Sequence, residues 1–304
     1  MSTLRGRVVA TFGRRYEVEA DAGTLVSCVT RARKRDAACG DLVEFTPTGD
    51  GQGVIEAILP RRTFLERADA FKRKPIAANA DQILILVATE PWFSDEFITR
   101  LLVLAHDAAV VPLIGLNKID LPGAADARAR LAVFERAGCA VVEFAARPRD
   151  ASGTRLPDGQ GIDALRARLA GRITVLAGQS GMGKSSLVNA LAPGADAATG
   201  EISRALGSGR HTTTYSRCYR VDATTLLIDC PGMQEVGVAN LDLPRLTAGF
   251  AEFAPFLGNC RFADCRHDRE PECALVAAVD AGAIAARRYE LFCRLRGEIA
   301  PPSR

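Results

Sequence analysis

Hydrophobic and polar residues alternate in two different ways along the chain, and the pattern changes near residue 81. Before it, short alternating runs are separated by Gly, Asp and Pro, without a helical period. Five of these runs, all within residues 4–66, predict β-strands: GRVVATFG, RYEVEA, TLVSCVT, DLVEFTP and GVIEAIL. Five short strands in about sixty residues are typical of a small β-barrel. The basic stretch at 67–80, RADAFKRKPIAANA, is interpreted as a linker.

From residue 81, apolar runs alternate with segments of helical spacing. The runs DQILILVAT, AVVPLIGLNKID, CAVVEFAA, RITVLAG and ATTLLIDCPG predict strands, and SRCYRVD is expected to pair with the last of them. The segments SDEFITRLLVLAHDA, ADARARLAVFERAG, GIDALRARLAG and KSSLVNALAP predict helices. This alternation predicts an α/β domain with a mainly parallel sheet.

Beyond residue 240 the strand pattern ends. The segments LDLPRLTAGFAEFAPFL and DAGAIAARRYELFCRLRGEI have helical character. We therefore expect three domains: a barrel at 1–68, an α/β domain at 75–235 and a mainly helical domain at 236–304.

Composition narrows the class of protein. A length of 304 residues suits two or three modest domains. No apolar run reaches the roughly 18 residues of a membrane span, and the first residues lack the apolar core of a signal peptide, so a cytoplasmic protein with reduced thiols is expected. The net charge is only +3, but residues 1–75 hold 14 Lys and Arg against 10 Asp and Glu. The segment RARKRD, at 31–36, concentrates this excess.

The string GQSGMGKSS, at 178–186, follows a predicted strand and opens a predicted helix. It matches the Gly-x4-Gly-Lys-Ser phosphate loop, whose backbone N–H groups and helix N-terminus surround a phosphate. We expect Lys184 to bridge the β- and γ-phosphates and Ser185 to bind Mg²⁺. The candidate contacts are Gly178, Gln179, Ser180, Gly181, Met182, Gly183, Lys184, Ser185 and Ser186.

Two further segments suit the same nucleotide. In DCPG, at 229–232, Asp229 is placed to hold Mg²⁺ through water and the Gly232 N–H to sense a γ-phosphate. Between the two motifs lies GSGRHTTTYS, at 207–216, in which Thr212, Thr213 or Thr214 could complete the Mg²⁺ shell. We assign Thr213, although the sequence alone does not choose among the three.

The string NKID, at 117–120, predicts recognition of guanine. The Asp120 carboxylate can accept from guanine N1–H and the N2 amino group, neither of which adenine offers, so the motif selects GTP over ATP. Asn117 can bond N7/O6 and hold the phosphate loop, and the Lys118 stem can lie along the base. In EFAA, after the next strand, Ala145 and Ala146 are the candidates for a backbone contact with the base.

The order of these motifs is unusual. The guanine motif precedes the phosphate loop by about sixty residues, whereas in ordinary GTPases it comes well after it. A circular permutation explains the order, because binding requires convergence in space and not in sequence. In the permuted order the segment after DCPG leads directly into the C-terminal domain, which suggests that nucleotide state is transmitted there.

A Cys and His cluster occupies 259–273, in NCRFADCRHDREPEC. Its spacing gives Cys260, Cys265, His267 and Cys273, and the protein has only three histidines. Three thiolates and one imidazole suit a closed tetrahedral Zn²⁺ site, so a structural role is expected.

The strings AANADQILIL, NKIDL, GQSGMGKSSLVNAL, GRHTTT, DCPGM and CRFADCRHDREPEC resemble the ribosome small subunit-dependent GTPase A family over nearly the whole chain. The resemblance implies an OB-fold barrel that contacts ribosomal RNA, a permuted GTPase domain and a helical zinc-binding domain. It implies slow GTP hydrolysis alone, faster hydrolysis on the small (30S) subunit, and a role in late maturation of that subunit. We expect Arg31, Arg33, Lys34 and Arg35 to follow the phosphates of 16S rRNA; the alternative is that this charge run is only a solvated face. The protein is expected to be a monomer.

The catalytic step is less defined by the sequence. Many GTPases place a glutamine directly after Asp-x-x-Gly, but this chain has Met233 there. The resemblance suggests His211 as the replacement that orients water; the alternative is that His211 only contacts RNA phosphate or solvent. The missing glutamine also leaves open a GTP-dependent RNA-binding module with little intrinsic catalysis. An unrelated phosphate-loop ATPase is opposed by NKID.

Overall fold

The computed structural model describes residues 2–31, 37–69, 72–147, 154, 161–193, 216–230, 233, 236–268 and 270–299. Within these ranges, none of the helices has both the length and the hydrophobicity that spanning a bilayer requires.

The first five strands form a closed barrel: β1 Leu4–Phe12, β2 Arg15–Ala20, β3 Leu25–Thr30, β4 Leu42–Gly49 and β5 Gln52–Ile58. They are ordered β1-β2-β3-β5-β4, and β4 pairs back onto β1. Only the β3–β5 pair is parallel. Alternate residues such as Val8, Val18 and Phe45 are fully buried inside the barrel. This is the five-stranded OB-fold that the resemblance implied.

The stretch expected to be a linker is instead a hairpin. Strands β6 Phe64–Asp69 and β7 Lys72–Ala78 pair in antiparallel fashion. The hairpin is held in place by its apolar ends, because Leu65 and Ala77 are fully buried and Ile76 is only 5% exposed. The Ala78 N–H donates to the Cys39 carbonyl at 2.9 Å, which joins the hairpin to the barrel.

The central sheet has the predicted strands. They are β8 Gln82–Ala88, β9 Val111–Asn117, β10 Ala140–Glu143, β11 Ile173–Gly178, β12 Arg217–Arg220 and β13 Leu226–Asp229. The order is β10-β9-β8-β11-β13-β12, parallel except for β12. The predicted helices are α1 Asp95–Asp107, α2 Ala124–Arg136, α3 Ile162–Leu169 and α4 Lys184–Leu191.

The barrel and the central sheet are one hydrogen-bonded surface, which the sequence did not indicate. Strand β1 pairs with β12 through Ala10 and Arg217, so eleven strands are continuous. The Thr11 N–H donates to the Ser216 carbonyl at 3.0 Å. The Arg220 guanidinium donates to the Glu19 carboxylate at 2.6 Å, which adds an ion pair between β12 and β2.

The C-terminal part is helical, with α5 Leu243–Ala248, a 3₁₀ helix Ala251–Phe256, α6 Ala274–Asp280 and α7 Ala286–Arg296. Helix α6, directly after the last cysteine of the cluster, was not predicted. Phe250, Phe253 and Phe292 stack and meet edge-on in the core of this part. Val103 of α1 belongs to the same core, so the helices pack directly on the α/β part.

Candidate functional site

The parallel strands bring the predicted nucleotide motifs to one edge of the sheet. Strand β9 ends at Asn117, β11 at Gly178 and β13 at Asp229. Ligands of open α/β sheets bind outside the carboxyl ends of the strands. Three motifs that lie far apart in sequence therefore share one site.

Asn117 joins three of the predicted segments. Its side chain is 2% exposed, and its amide donates to the Met182 carbonyl of the phosphate loop at 2.9 Å. Its Oδ1 accepts from the Lys118 N–H at 2.8 Å and from the Ala146 N–H at 3.0 Å. The neighbouring Ala145 is 1% exposed. Asn117 thus fixes the guanine motif, the EFAA segment and the phosphate loop relative to one another.

Lys118 extends from the guanine motif to the phosphate loop. Its φ is +63°, and its ammonium donates to the Gly181 carbonyl at 2.8 Å and to the Glu90 carbonyl at 2.6 Å. Asp120, two residues further on, is half-buried. The guanine motif predicts a flat base lying along the Lys118 stem, with its edge towards the Asp120 carboxylate.

The glycines of the phosphate loop meet strict spatial limits. Gly183 has a φ of +97°, and a Cβ at that position would lie 2.4 Å from the Asn117 amide nitrogen. A Cβ at Gly178 would lie 2.9 Å from the Leu86 carbonyl oxygen. A side chain at either position would push the loop away from its neighbours.

Lys184 and Asp229 are the charged pair of the site. The Lys184 ammonium donates to the carbonyls of Gly178 at 2.6 Å and Gln179 at 3.0 Å. Burial lowers the pKa of Lys184, while the charge of Asp229 opposes that shift. Burial raises the pKa of Asp229, while the charge of Lys184 opposes that shift.

The Asp229 carboxylate fits a hydrated divalent cation. Its Oδ1 is buried and has no hydrogen-bond partner in the described part of the chain. Such an oxygen is costly unless a cation or an ordered water satisfies it. Hard cations such as Mg²⁺ take oxygen ligands. Ser185, the other described candidate ligand, is exposed at the start of α4.

Several predicted residues lie outside the described ranges: His211, Thr212, Thr213, Thr214 and Gly232 of the nucleotide site, and Arg33, Lys34 and Arg35 of the basic segment. Two neighbours are described. Met233 is 2% exposed and packs in the main core, so its side chain does not face a nucleotide. Arg31 is well exposed and pairs with Glu56 at 3.1 Å.

The sequence did not single out the segment after β8, which also contacts the phosphate loop. The Ser94 N–H donates to the Gln179 side-chain oxygen at 3.2 Å, so that side chain points to a neighbouring loop. Pro91 lies against Gly181, where a Cβ would come within 3.2 Å of its ring. This segment could have been assigned to the site from topology alone, because it follows the carboxyl end of a parallel strand at the same edge of the sheet.

The cysteine cluster converges as a candidate metal centre. The ligand atoms of Cys260, Cys265, His267 and Cys273 all lie within 4.8 Å of one another. The His267 Nδ1 lies 3.5 Å from the Cys260 sulfur and 3.7 Å from the Cys273 sulfur.

The backbone around the cluster supports thiolates. The N–H groups of His267 and Ala274 donate to the sulfurs of Cys265 and Cys260, each at 3.4 Å. Burial raises the pKa of Cys265 to about 12 and lowers the pKa of His267. A metal ion would offset the cost of ionising the buried thiols. Three sulfurs and one ring nitrogen could therefore hold a metal ion.

The fold and the site together define a phosphate-loop GTPase with circularly permuted motifs. The family model described as RsgA GTPase matches residues 58–239. The chain belongs to the RsgA GTPase family.

Its relatives match over almost their full length. The small ribosomal subunit biogenesis GTPase RsgA of Bordetella pertussis is 46% identical over 297 residues, which cover 97% of this chain and 96% of that protein. The protein of the same name from Nitrosomonas europaea is 44% identical over 298 residues, which cover 97% and 91%.

Two solved structures have the same fold. YjeQ from Thermotoga maritima is 31% identical, with a TM-score of 0.72 and coverage of 98% of each chain. YloQ, described as a circularly permuted GTPase, is 23% identical, with a TM-score of 0.70 and coverage of 99% of this chain and 98% of its own. The permuted order inferred from the motifs is therefore confirmed at the level of the fold.

Proposed function

We propose that this GTPase acts in the biogenesis of the small ribosomal subunit, that it binds the immature 30S subunit, and that subunit-stimulated hydrolysis of GTP releases it. The observation that carries the proposal is the meeting of a guanine motif and a phosphate loop at the edge of a sheet that continues into an OB-type barrel. The names of its relatives point to the same process.

The nucleotide roles follow from the chemistry of the residues at that edge. Asp120 accepts from the guanine N1–H and N2 amino group, and Lys118 covers one face of the base. The phosphate loop, from Gly178 to Ser186, wraps the phosphates, and Lys184 contacts the β- and γ-phosphates. Ser185, Asp229 and Thr213 hold Mg²⁺ in this proposal. Bound Mg²⁺ neutralises charge that develops on the transferred phosphoryl group.

The residue that orients the attacking water is assigned to the loop before β12. The buried Met233 occupies the place of the usual glutamine and offers no donor and only a weakly accepting sulfur with which to orient water. We assign this task to His211, whose imidazole can orient water or accept from it. Subunit contact then stimulates turnover by fixing that imidazole beside the γ-phosphate.

The remaining assignments concern partners and location. Arg31, Arg33, Lys34 and Arg35 contact the 16S rRNA backbone by charge, with binding that weakens as salt rises. The Cys260, Cys265, His267 and Cys273 cluster holds one structural Zn²⁺. The protein acts in the cytoplasm as a monomer.

A second function has one observation in its favour. The buried Met233 removes the usual catalytic glutamine, which suits a GTP-dependent RNA-binding module whose nucleotide sets conformation while turnover is incidental. The two functions differ in one measurable property, because only the first requires the subunit to accelerate hydrolysis.

The deciding experiment measures GTP hydrolysis with and without purified small subunits, with Lys184→Ala as the background control. The first function predicts strong stimulation that is absent from the control. Tight GTP-dependent association with the subunit but no stimulation would favour the binding module. If neither hydrolysis nor association responds to subunits, the ribosomal assignment is wrong.

The role of His211 is tested separately. His211→Ala is expected to lose stimulated turnover while its affinity for GTP and for the subunit stays within about twofold of the wild type. Equal loss of subunit binding would assign His211 to RNA contact instead of catalysis.

A further inference from the structure

The chain passes from one hydrophobic core to the other within three residues. Val236 is 2% exposed and packs in the core of the α/β part. Val238 is also 2% exposed, but it packs in the core of the C-terminal helices. Strand β13 ends at Asp229 in the nucleotide site, and Val236 lies seven residues further along the chain. This crossing from one core to the other therefore follows the nucleotide site closely in sequence.

The side chain that holds this crossing is Arg100 of α1. Its guanidinium donates to the Val236 carbonyl at 3.2 Å. It also donates to Glu96 on α1, at 2.6 and 3.1 Å. Two further N–H groups bind Glu298, just after α7, one of them at 2.7 Å.

Every N–H donor of this guanidinium is therefore occupied. A planar guanidinium has five donors in a fixed fork, and Arg100 uses all five on three partners. Its side chain is only 15% exposed, so water cannot easily replace a lost partner. A shift of Val236 must then break a half-buried hydrogen bond or carry Glu96 and Glu298 with it.

The partners of Arg100 lead in both directions. Towards the nucleotide, Ser94 caps the N-terminus of α1, and its N–H donates to the Gln179 side chain of the phosphate loop. Towards the cluster, Tyr289 and Arg296 of α7 donate to the His267 carbonyl at 2.9 and 2.8 Å. Directional bonds thus connect the phosphate loop to the candidate metal centre through α1 and α7.

We propose that Arg100 is a positioning residue that couples the nucleotide site to the C-terminal helices, by fixing the crossing at Val236 to α1 and α7 as one unit. The proposal rests on the GTP-binding role proposed above. It does not depend on the ribosomal role, so the two can fail independently.

The test is amide hydrogen exchange of α7 and of residues 260–268 in the full, metal-loaded chain, with GDP or the non-hydrolysable analogue GMPPNP bound. We expect exchange there to differ between the two nucleotides by about fivefold or more, the lower end of typical coupling between sites. In Arg100→Gln that difference should fall to less than about twofold. Nucleotide binding is measured on the same samples.

A matched control comes from the other end of α1. Arg245 of α5 donates to both carboxylate oxygens of Asp107 on α1, each at 2.7 Å. It therefore links the C-terminal helices to α1 without a bond to Val236. Arg245→Gln should retain the nucleotide-dependent difference. Because Arg100→Gln could fail to fold, Glu298→Gln serves as a second variant; it keeps the bonds to Glu96 and Val236 and should reduce the difference.

Each contrary result identifies what is wrong. No nucleotide-dependent exchange in wild-type protein that binds both nucleotides would overturn the coupling. A difference that persists in folded Arg100→Gln and in Glu298→Gln would overturn the role of Arg100. An equal loss in Arg245→Gln would show that general docking of the helices, and not Arg100, carries the effect.

Discussion

Gly183 illustrates how little freedom single positions of the nucleotide site have. The residue combines a left-handed backbone with a space already filled by the Asn117 amide. The phosphate-loop motif predicted a glycine for its approach to phosphate, but the contact that actually excludes a side chain comes from the guanine motif. The guanine motif predicted that Asn117 holds the phosphate loop, and its amide does bond to Met182, 65 residues away. It did not predict that this amide also fills the space beside Gly183, because that contact depends on the tertiary fold.

Gly183→Ala should weaken GDP binding by tenfold or more, because a Cβ would displace the Asn117 amide and strain the backbone. Titration with a fluorescent GDP analogue measures it. Gly138→Ala is the matched control, since Gly138 also has a positive φ, of +89°, but open space around it. Equal weakening in both variants would mean that backbone strain alone, and not the contact with Asn117, is responsible.

The ionised Asp229 carboxylate, which the nucleotide site is proposed to use, should lower the stability of the folded protein. Burial raises the pKa of Asp229, so the folded state binds a proton more readily than the unfolded chain. Its ionised form therefore costs stability at neutral pH, and that stability returns as the pH falls through the raised pKa. Asp229→Asn should raise the melting temperature of nucleotide-free protein at pH 7 by about 2–4 °C, with a smaller gain at acid pH.

Asp222 is the control for these melting measurements, because its pKa is shifted in the opposite direction to that of Asp229. Hydrogen bonds from Thr225 and Thr224 lower the pKa of Asp222 to about 2. Asp222→Asn should therefore lower the melting temperature at pH 7, and the deficit should shrink as the pH falls from the ordinary pKa of 3.8 towards 2. A gain for Asp229→Asn that does not depend on pH would contradict the electrostatic explanation.

Among the secondary-structure elements, strands with a clear apolar pattern were predicted and those defined by distant partners were not. The hairpin β6–β7 looked like a linker because its middle is basic, whereas its order comes from packing of Leu65 and Ala77 in the core. Helix α6 is seven residues long, too short for its apolar positions to show a period. The pairing of β12 with β1 joins positions about 200 residues apart, beyond the reach of any local signal.

A buried ion pair anchors the barrel to the chain that leads into the hairpin. Arg61 donates to both oxygens of the fully buried Asp41, at 2.7 and 2.8 Å. Asp41→Ala should destabilise the protein by about 3 kcal/mol, since it leaves Arg61 without that partner in a half-buried position. Glu44→Ala, which breaks the exposed pair with Arg5, should cost less than about 1 kcal/mol. Urea midpoints compare the two, and equal shifts would contradict this ranking.

At the scale of the whole molecule, the candidate metal centre is part of the C-terminal core. Cys265 and Cys273 pack with Phe253 and Phe292 in that core. We expect one metal ion per chain by elemental analysis, and Zn²⁺ as the ion. Removal with a strong chelator should lower the first melting transition, because structural metal binding contributes directly to folding. Protein that loses its metal but melts unchanged would contradict a structural role.

The variant Cys265→Ser should behave like the chelated protein. Cys293→Ser is the matched control, because Cys293 packs beside the same core but is not in the cluster. GDP affinity measured in both variants separates loss of the C-terminal helices from damage to the phosphate loop.

The continuous sheet has a consequence for dissecting this chain into parts. Strand β12 has a partner on each side, β13 and, from the barrel, β1. The pairing with β1 covers the start of β12, at Ser216 and Arg217, so a truncated chain without the barrel would expose backbone groups there that can template another copy. We expect such a fragment to self-associate, so that its turnover would reflect an aggregate. The barrel would then also protect this end of the sheet edge against intermolecular strand pairing, a role separate from any contact with RNA.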